Sequence, residues 1–156
     1  MANLTGLSIF YHGDTVSQDS SQQAPLGTRA FEVNGNEWIY LQGTASVITG
    51  SWVRFDESFK TELVDADDVG PLAVAGTAQT ASTFGFFQVR GVSTTALNDK
   101  AITADKALFL TATGGYVDDA DVAGDYIEGA VSRAASSGSA FTVWLNYPIV
   151  YDDAQN

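Results

Sequence analysis

The chain has no cysteine, one histidine, three prolines and only seven basic residues among 156. Without cysteine there is no disulfide, no thiolate nucleophile, no iron–sulfur cluster and no cysteine-held zinc. One histidine cannot supply the nitrogen ligands of a zinc site either. That histidine, His12, precedes Gly13 and Asp14, so any Ser-His-Asp site would have to use it. It falls in the stretch with the weakest strand signal, where nothing holds a catalytic group in place. The basic residues Arg29, Arg54, Lys60, Arg90, Lys100, Lys106 and Arg133 stand singly against 19 acids, for a net charge of -12. A nucleic-acid groove needs clustered cations, and an anionic membrane attracts the opposite sign. Neither is an expected partner. No apolar run approaches the ~18 residues of a membrane span. Met1 to Thr5 shows neither the basic region nor the apolar core of a secretory signal. Synthesis in a cytoplasm is expected, and the sequon Asn3-Leu4-Thr5 is then without effect. Phosphate loops, a strand–GxGxxG–helix unit and a fixed repeat are missing as well.

What is present is apolar residues at 45%, enough for one globular domain, which at this size buries roughly two-thirds of its unfolded surface. Only 17% of residues are charged, and neutral Ser, Thr, Gln, Asn and Gly carry the polarity. The chain is organised around Gly70-Pro71-Leu72-Ala73-Val74-Ala75-Gly76 and Phe84-Gly85-Phe86-Phe87-Gln88-Val89-Arg90-Gly91. The first is nearly all apolar, as a strand buried on both faces would be. The second alternates, with Phe87 and Val89 on one face and Phe84, Phe86, Gln88 and Arg90 on the other.

Residues 1–27 read as an N-terminal arm and 28–156 as the domain. Leu7, Ile9, Phe10 and Tyr11 form a short apolar patch, Ser17 to Gln23 a polar tract, and Pro25 and Gly27 a closing turn. The arm is either a frayed terminus or a segment that orders against another subunit through its apolar patch. From Thr28 on, strands are expected at Arg29–Val33, Trp38–Gln42, Trp52–Asp56, Phe59–Val64, the central pair, Ala107–Thr111, Tyr126–Arg133 and Phe141–Tyr147, with Pro148 ending the last. Asn34-Gly35 predicts a tight hairpin. Ala101–Lys106 could make one helical turn, and Tyr116–Gly124 an acidic loop. Turns every ~8–12 residues without helical periodicity predict an all-β fold, a small antiparallel barrel or sandwich.

Within those strands the aliphatic residues claim the core side: Ile39 and Leu41, Val53 and Phe55, Val143 and Leu145. Trp38, Tyr40, Trp52 and Trp144 therefore share the opposite faces with polar residues, as do Phe84 and Phe86. Either both sheet faces are covered inside one chain, or these rings meet a partner, most simply in a closed ring of copies.

The acids offer little chemistry that spacing can select. Asp119, Asp121, Gly124 and Asp125 match positions one, three, six and seven of an EF-hand loop, but Ala130 stands where its bidentate Glu belongs. Asp65, Asp67 and Asp68 are a tighter cluster. Calcium at either, or solvated turns, are the two readings. Tryptophans with acids also allow a carbohydrate-binding module on a fibre or spike, stacking sugars on exposed rings.

Six segments between Trp38 and Gly129 resemble bacteriophage head decoration proteins, also called capsid cement proteins. They are Trp38–Gly43, Gly50–Val53, Gly70–Ala75, Phe86–Gly91, Thr113–Asp118 and Ile127–Gly129. The resemblance implies a small β-barrel or sandwich, often a homotrimer, on the outer surface of an icosahedral head. There it would clamp neighbouring major capsid protein subunits. It implies a virion structural protein with no catalytic residues and no cofactor. The expected contact residues are then Leu7, Ile9, Phe10, Tyr11, Trp38, Tyr40, Trp52, Phe84, Phe86 and Trp144.

Overall fold

A computed structural model describes residues 18–120 and 126–151. Among these residues no helix forms. The strands are β1 (Gln18–Asp19), β2 (Arg29–Phe31), β3 (Glu37–Gln42), β4 (Trp52–Phe55), β5 (Thr61–Leu63), β6 (Gly70–Ala75), β7 (Phe84–Leu97), β8 (Ala107–Leu110), β9 (Val117–Asp118), β10 (Tyr126–Ser132) and β11 (Ala140–Val150). They form one antiparallel sheet in the order β2-β3-β7-β6-β11-β10-β8-β9, with β1 beside β7, β4 beside β6 and β5 beside β4. The sheet does not close into a barrel. It folds on itself as a sandwich-like body.

The hub is β6. One edge pairs with β4, Val53 opposite Ala73. The other edge is shared end to end, with β11 at Gly70 and Pro71 and with β7 at Val74 and Ala75. Leu72 and Val74 enter one core cluster, while Ala73 and Ala75 enter a second. Both faces of β6 are buried, as its unbroken apolar composition predicts.

The two long strands make this fork possible. β7 pairs with β3 and β6 up to Arg90, then runs on to Leu97 against β11. At the change of partner stands Gly91 (φ 94°), where a β-carbon would lie 2.1 Å from Asn36 Oδ1. Only glycine permits both the backbone angle and the approach. β11 does not stop at Pro148. Glu128 pairs with Ile149 and Ala130 with Leu145, so Gly129 faces three residues, Asn146 to Pro148. A bulge has no ladder bond for Pro148 to break, which is how a strand accommodates proline. Tyr147 takes the left-handed angle there (φ 52°).

The helical turn expected at Ala101–Lys106 is a turn pinned to β10 instead. Ile102 and Ser136 exchange backbone hydrogen bonds of 2.8 and 2.9 Å. The Ser132 hydroxyl accepts the Lys106 N–H (2.9 Å) and donates to the Thr103 carbonyl (2.6 Å). Those partners lie far along the chain, so local composition could not announce them. The acidic loop at 116–124 contains the short β9, and residues 121–125 lie outside the described chain.

Candidate functional site

Most of the rings expected to meet a partner are covered by their own chain. Trp52 is completely buried in the largest cluster, which also holds Leu72, Leu108, Leu145 and its cross-strand partner Val74. Trp38, Tyr40 and Phe86 form a third cluster with Ala30, and Ala24, Leu26 and the half-buried Phe84 pack on it. The Nε1 atoms of Trp38 and Trp52 are buried without a protein acceptor. The alternation did assign opposite faces correctly: Trp52 and Val53 lie in different clusters. The expectation that Trp38, Tyr40, Trp52 and Phe86 form a contact surface is corrected, because Trp52 is buried in the largest cluster and the other three in the third.

The cover over the third cluster comes from the described part of the expected arm. β1 pairs with β7, Gln18 opposite Gly85 and Asp19 opposite Phe84. The Tyr40 hydroxyl donates to Asp19 Oδ2 (2.7 Å) and accepts the Gln23 N–H (3.1 Å). The Gly27 N–H donates to the Tyr40 carbonyl at 2.8 Å. Residues 18–27, the described part of the expected arm, are thus a strap on the body. Burial, aided by Asp19, pushes the Tyr40 hydroxyl up to about 12. Leu7, Ile9, Phe10, Tyr11 and His12 lie outside the described residues.

Trp144 is different. It is 42% exposed on the outer face of β11, directly opposite Val92 of β7 and Val131 of β10. Nearby, Glu37 is buried and holds two groups. It pairs with Arg29 at 3.0 Å and accepts the Tyr147 hydroxyl. That hydrogen bond, then burial, raises the Tyr147 hydroxyl above its ordinary value. The Arg29 guanidinium also lies 5.8 Å from the Tyr147 ring centre. This cluster ties the β2–β3 hairpin to the β11 bulge.

A second surface escaped sequence reading. Ile127 pairs with Val150, and Val150 with Gly70. Continuing that register one residue past the ends of β6 and β11 brings Val69 and Tyr151 to the level of Tyr126, and all three are exposed. Phe109 pairs with Tyr126, their rings 6.0 Å apart. The result is an apolar row across the ends of four strands, with Phe109 half-exposed, and the next row holds Pro71, Ile149 and the charged Glu128. Ile127, Val150, Leu108 and Leu110 on the reverse face are buried and give it a packed backing. The alternation of Tyr126 with Ile127 and of Tyr151 with Val150 was visible. Which strands would stand beside each other was not.

The acidic clusters are used locally. Asp68 Oδ2 accepts the Asp65 N–H (2.8 Å), and Asp68 Oδ1 pairs with Arg54 Nε (2.9 Å). Asp65 Oδ1 accepts the Ala66 N–H at 2.7 Å. Asp119 Oδ2 accepts the Thr103 N–H (2.7 Å). Asp67 is exposed at the turn, and Asp121 and Asp125 lie outside the described residues. Among the described residues no group of three or more carboxylate or histidine side chains is placed to hold a metal ion, and no helix is long and apolar enough to cross a membrane. Comparisons with protein-family models, with curated proteins and with solved structures find no match to this chain.

Proposed function

We propose that the chain is a virion structural protein, a head decoration protein. In this reading it assembles as a homotrimer on the outer surface of a phage head and fastens neighbouring major capsid subunits. The observation that supports it is the Val69–Tyr151–Tyr126–Phe109 row. Exposed aromatic rings on a packed backing are what a protein interface buries, and tyrosines are enriched among the residues that dominate binding. The row takes over the role first assigned to the buried tryptophans. The work is thermodynamic: a protein that binds only the assembled shell stabilises that shell by mass action, and many copies multiply a weak contact. The acidity of the chain disfavours stray contact with DNA.

The test uses the full chain, expanded heads and free capsid subunits. The wild type is expected to sediment as a trimer and to bind heads but not free subunits. Tyr126→Ala/Tyr151→Ala is expected to keep its circular dichroism and to weaken head binding more than about tenfold. If trimerisation fails with it, the row is the subunit contact. If the trimer survives, the row faces the shell. A wild-type monomer indifferent to heads overturns the reading.

A further inference from the structure

The Asn34-Gly35 turn stands beside the outer face of β7 and β11 and leaves a cleft of about 450 Å³. Asn34, Asn36, Arg90, Val92 and Trp144 line it. The cleft is held in shape from both sides. Asn36 Oδ1 accepts the Val92 N–H (3.0 Å), and Asn36 Nδ2 donates to Glu32 Oε2 (2.9 Å). The close approach at Gly91 and the Arg29–Glu37–Tyr147 cluster fix the hairpin against the sheet. Asn34 Oδ1 accepts the Asn36 N–H (3.0 Å), which leaves the Asn34 amide hydrogens for a ligand.

Arg90 is the unusual member. It is exposed, and among the described residues its guanidinium joins no ion pair, in a chain with 19 acids and seven basic residues. A guanidinium outside those ion pairs, whose cross-strand neighbour Glu37 is already engaged by Arg29 and Tyr147, stands here beside a half-exposed indole and a carboxamide, a specific combination. The indole offers an apolar face to the C–H side of a pyranose ring. The guanidinium offers a fork of donors that matches a carboxylate. The amide offers donors to ring hydroxyls. The volume falls within the range of small-ligand sites, roughly 300–1,000 Å³.

We propose that this cleft binds an acidic sugar, a hexuronate unit of an oligosaccharide, with its ring on Trp144 and its carboxylate on Arg90. The site is separate from the Tyr126–Tyr151 row and holds whether or not the chain decorates a capsid.

The experiment titrates the full chain with trigalacturonate and, in parallel, with the uncharged galactose trimer. Calorimetry and tryptophan emission read the binding. Trp38 and Trp52 are buried, so the emission change reports Trp144. Saturable binding of trigalacturonate is expected, with the neutral trimer at least about tenfold weaker. Arg90→Gln is expected to erase that preference, Trp144→Ala to abolish binding, and Trp144→Phe to restore part of it. Head attachment of Arg90→Gln stays unchanged, which separates this site from the proposed capsid contact. Equal binding of both trimers, or no saturable response to either, overturns the proposal. So does loss of head attachment in Arg90→Gln or Trp144→Ala without sugar binding, which would make the cleft a protein-docking surface.

Discussion

Trp52 and Trp144 obey the same rule and meet opposite fates. Each sits opposite an aliphatic core residue, Trp52 next to Val53 and Trp144 between Val143 and Leu145. Trp52 is wholly buried, whereas Trp144 is 42% exposed. The difference lies in the strands that carry them. β4 runs between β5 and β6 where the folded sheet has core on both sides, so Trp52 fills one cluster while Val53 fills another. β11 turns only one face inward, with Phe141, Val143 and Leu145 in the core. Alternation tells which residues share a face. Whether that face is covered depends on the path of the rest of the chain.

The comparison is broken most sharply by truncating each ring. Trp52→Ala removes a fully enclosed side chain and leaves a cavity beside Leu72 and Val74, so a loss of about 3–5 kcal/mol is expected. For a domain of ordinary marginal stability that is a large share of the total. Urea unfolding followed by circular dichroism measures it. A loss under about 1 kcal/mol would mean that Trp52 is not enclosed as described.

The strap supplies the intermediate case, since the cover over Trp38, Tyr40 and Phe86 comes from ten residues with little secondary structure of their own. Tyr40→Phe keeps the ring but deletes the hydroxyl that joins Asp19 and the Gln23 N–H. A loss of about 1–3 kcal/mol is expected, because one partner is charged. The same hydroxyl gives a pH signature. Its folded value is raised to about 12 from the ordinary tyrosine value of 10.0. Its contribution is therefore complete below pH 10.0 and is lost as pH rises towards about 12. Wild type should lose stability across that window more steeply than Tyr40→Phe, with the raised hydroxyl of Tyr147 adding to the slope in both. Identical alkaline slopes would show that the strap does not engage Tyr40.

Much of this was legible in advance, and the failures share a cause. Unbroken apolar composition marked β6 as buried on both faces. Asn34-Gly35 marked the hairpin, and period-2 alternation separated Trp52 from Val53 and Tyr40 from Ile39. Those signals are local, set by backbone geometry within a few residues. The misses depend on partners distant in sequence. Nothing near Pro148 reveals that a bulge opposite Gly129 will carry the strand through. Nothing near Ala101–Lys106 reveals that Ser132 and Ser136 will take its hydrogen bonds. Val69, Tyr126 and Tyr151 become neighbours only because β6, β11 and β10 stack in that order. The cleft was missed for the same reason, since Arg90 and Trp144 meet only where β7 changes partner.

The gentlest test is Trp144 itself. Its ring stands on an outer face with Val92 and Val131 beside it, so truncation opens no cavity. Trp144→Ala is expected to change stability by no more than about 0.5 kcal/mol, as for other surface positions. Acrylamide gives the complementary reading, because a collisional quencher reaches an exposed indole and not an enclosed one. In the wild type one emission component should quench readily and the remainder resist. In Trp144→Ala the accessible component should vanish, while the protected signal of Trp38 and Trp52 persists. An accessible component surviving in that variant would place Trp38 or Trp52 at the surface, and the distinction between the two-sided and one-sided strands would fall with it.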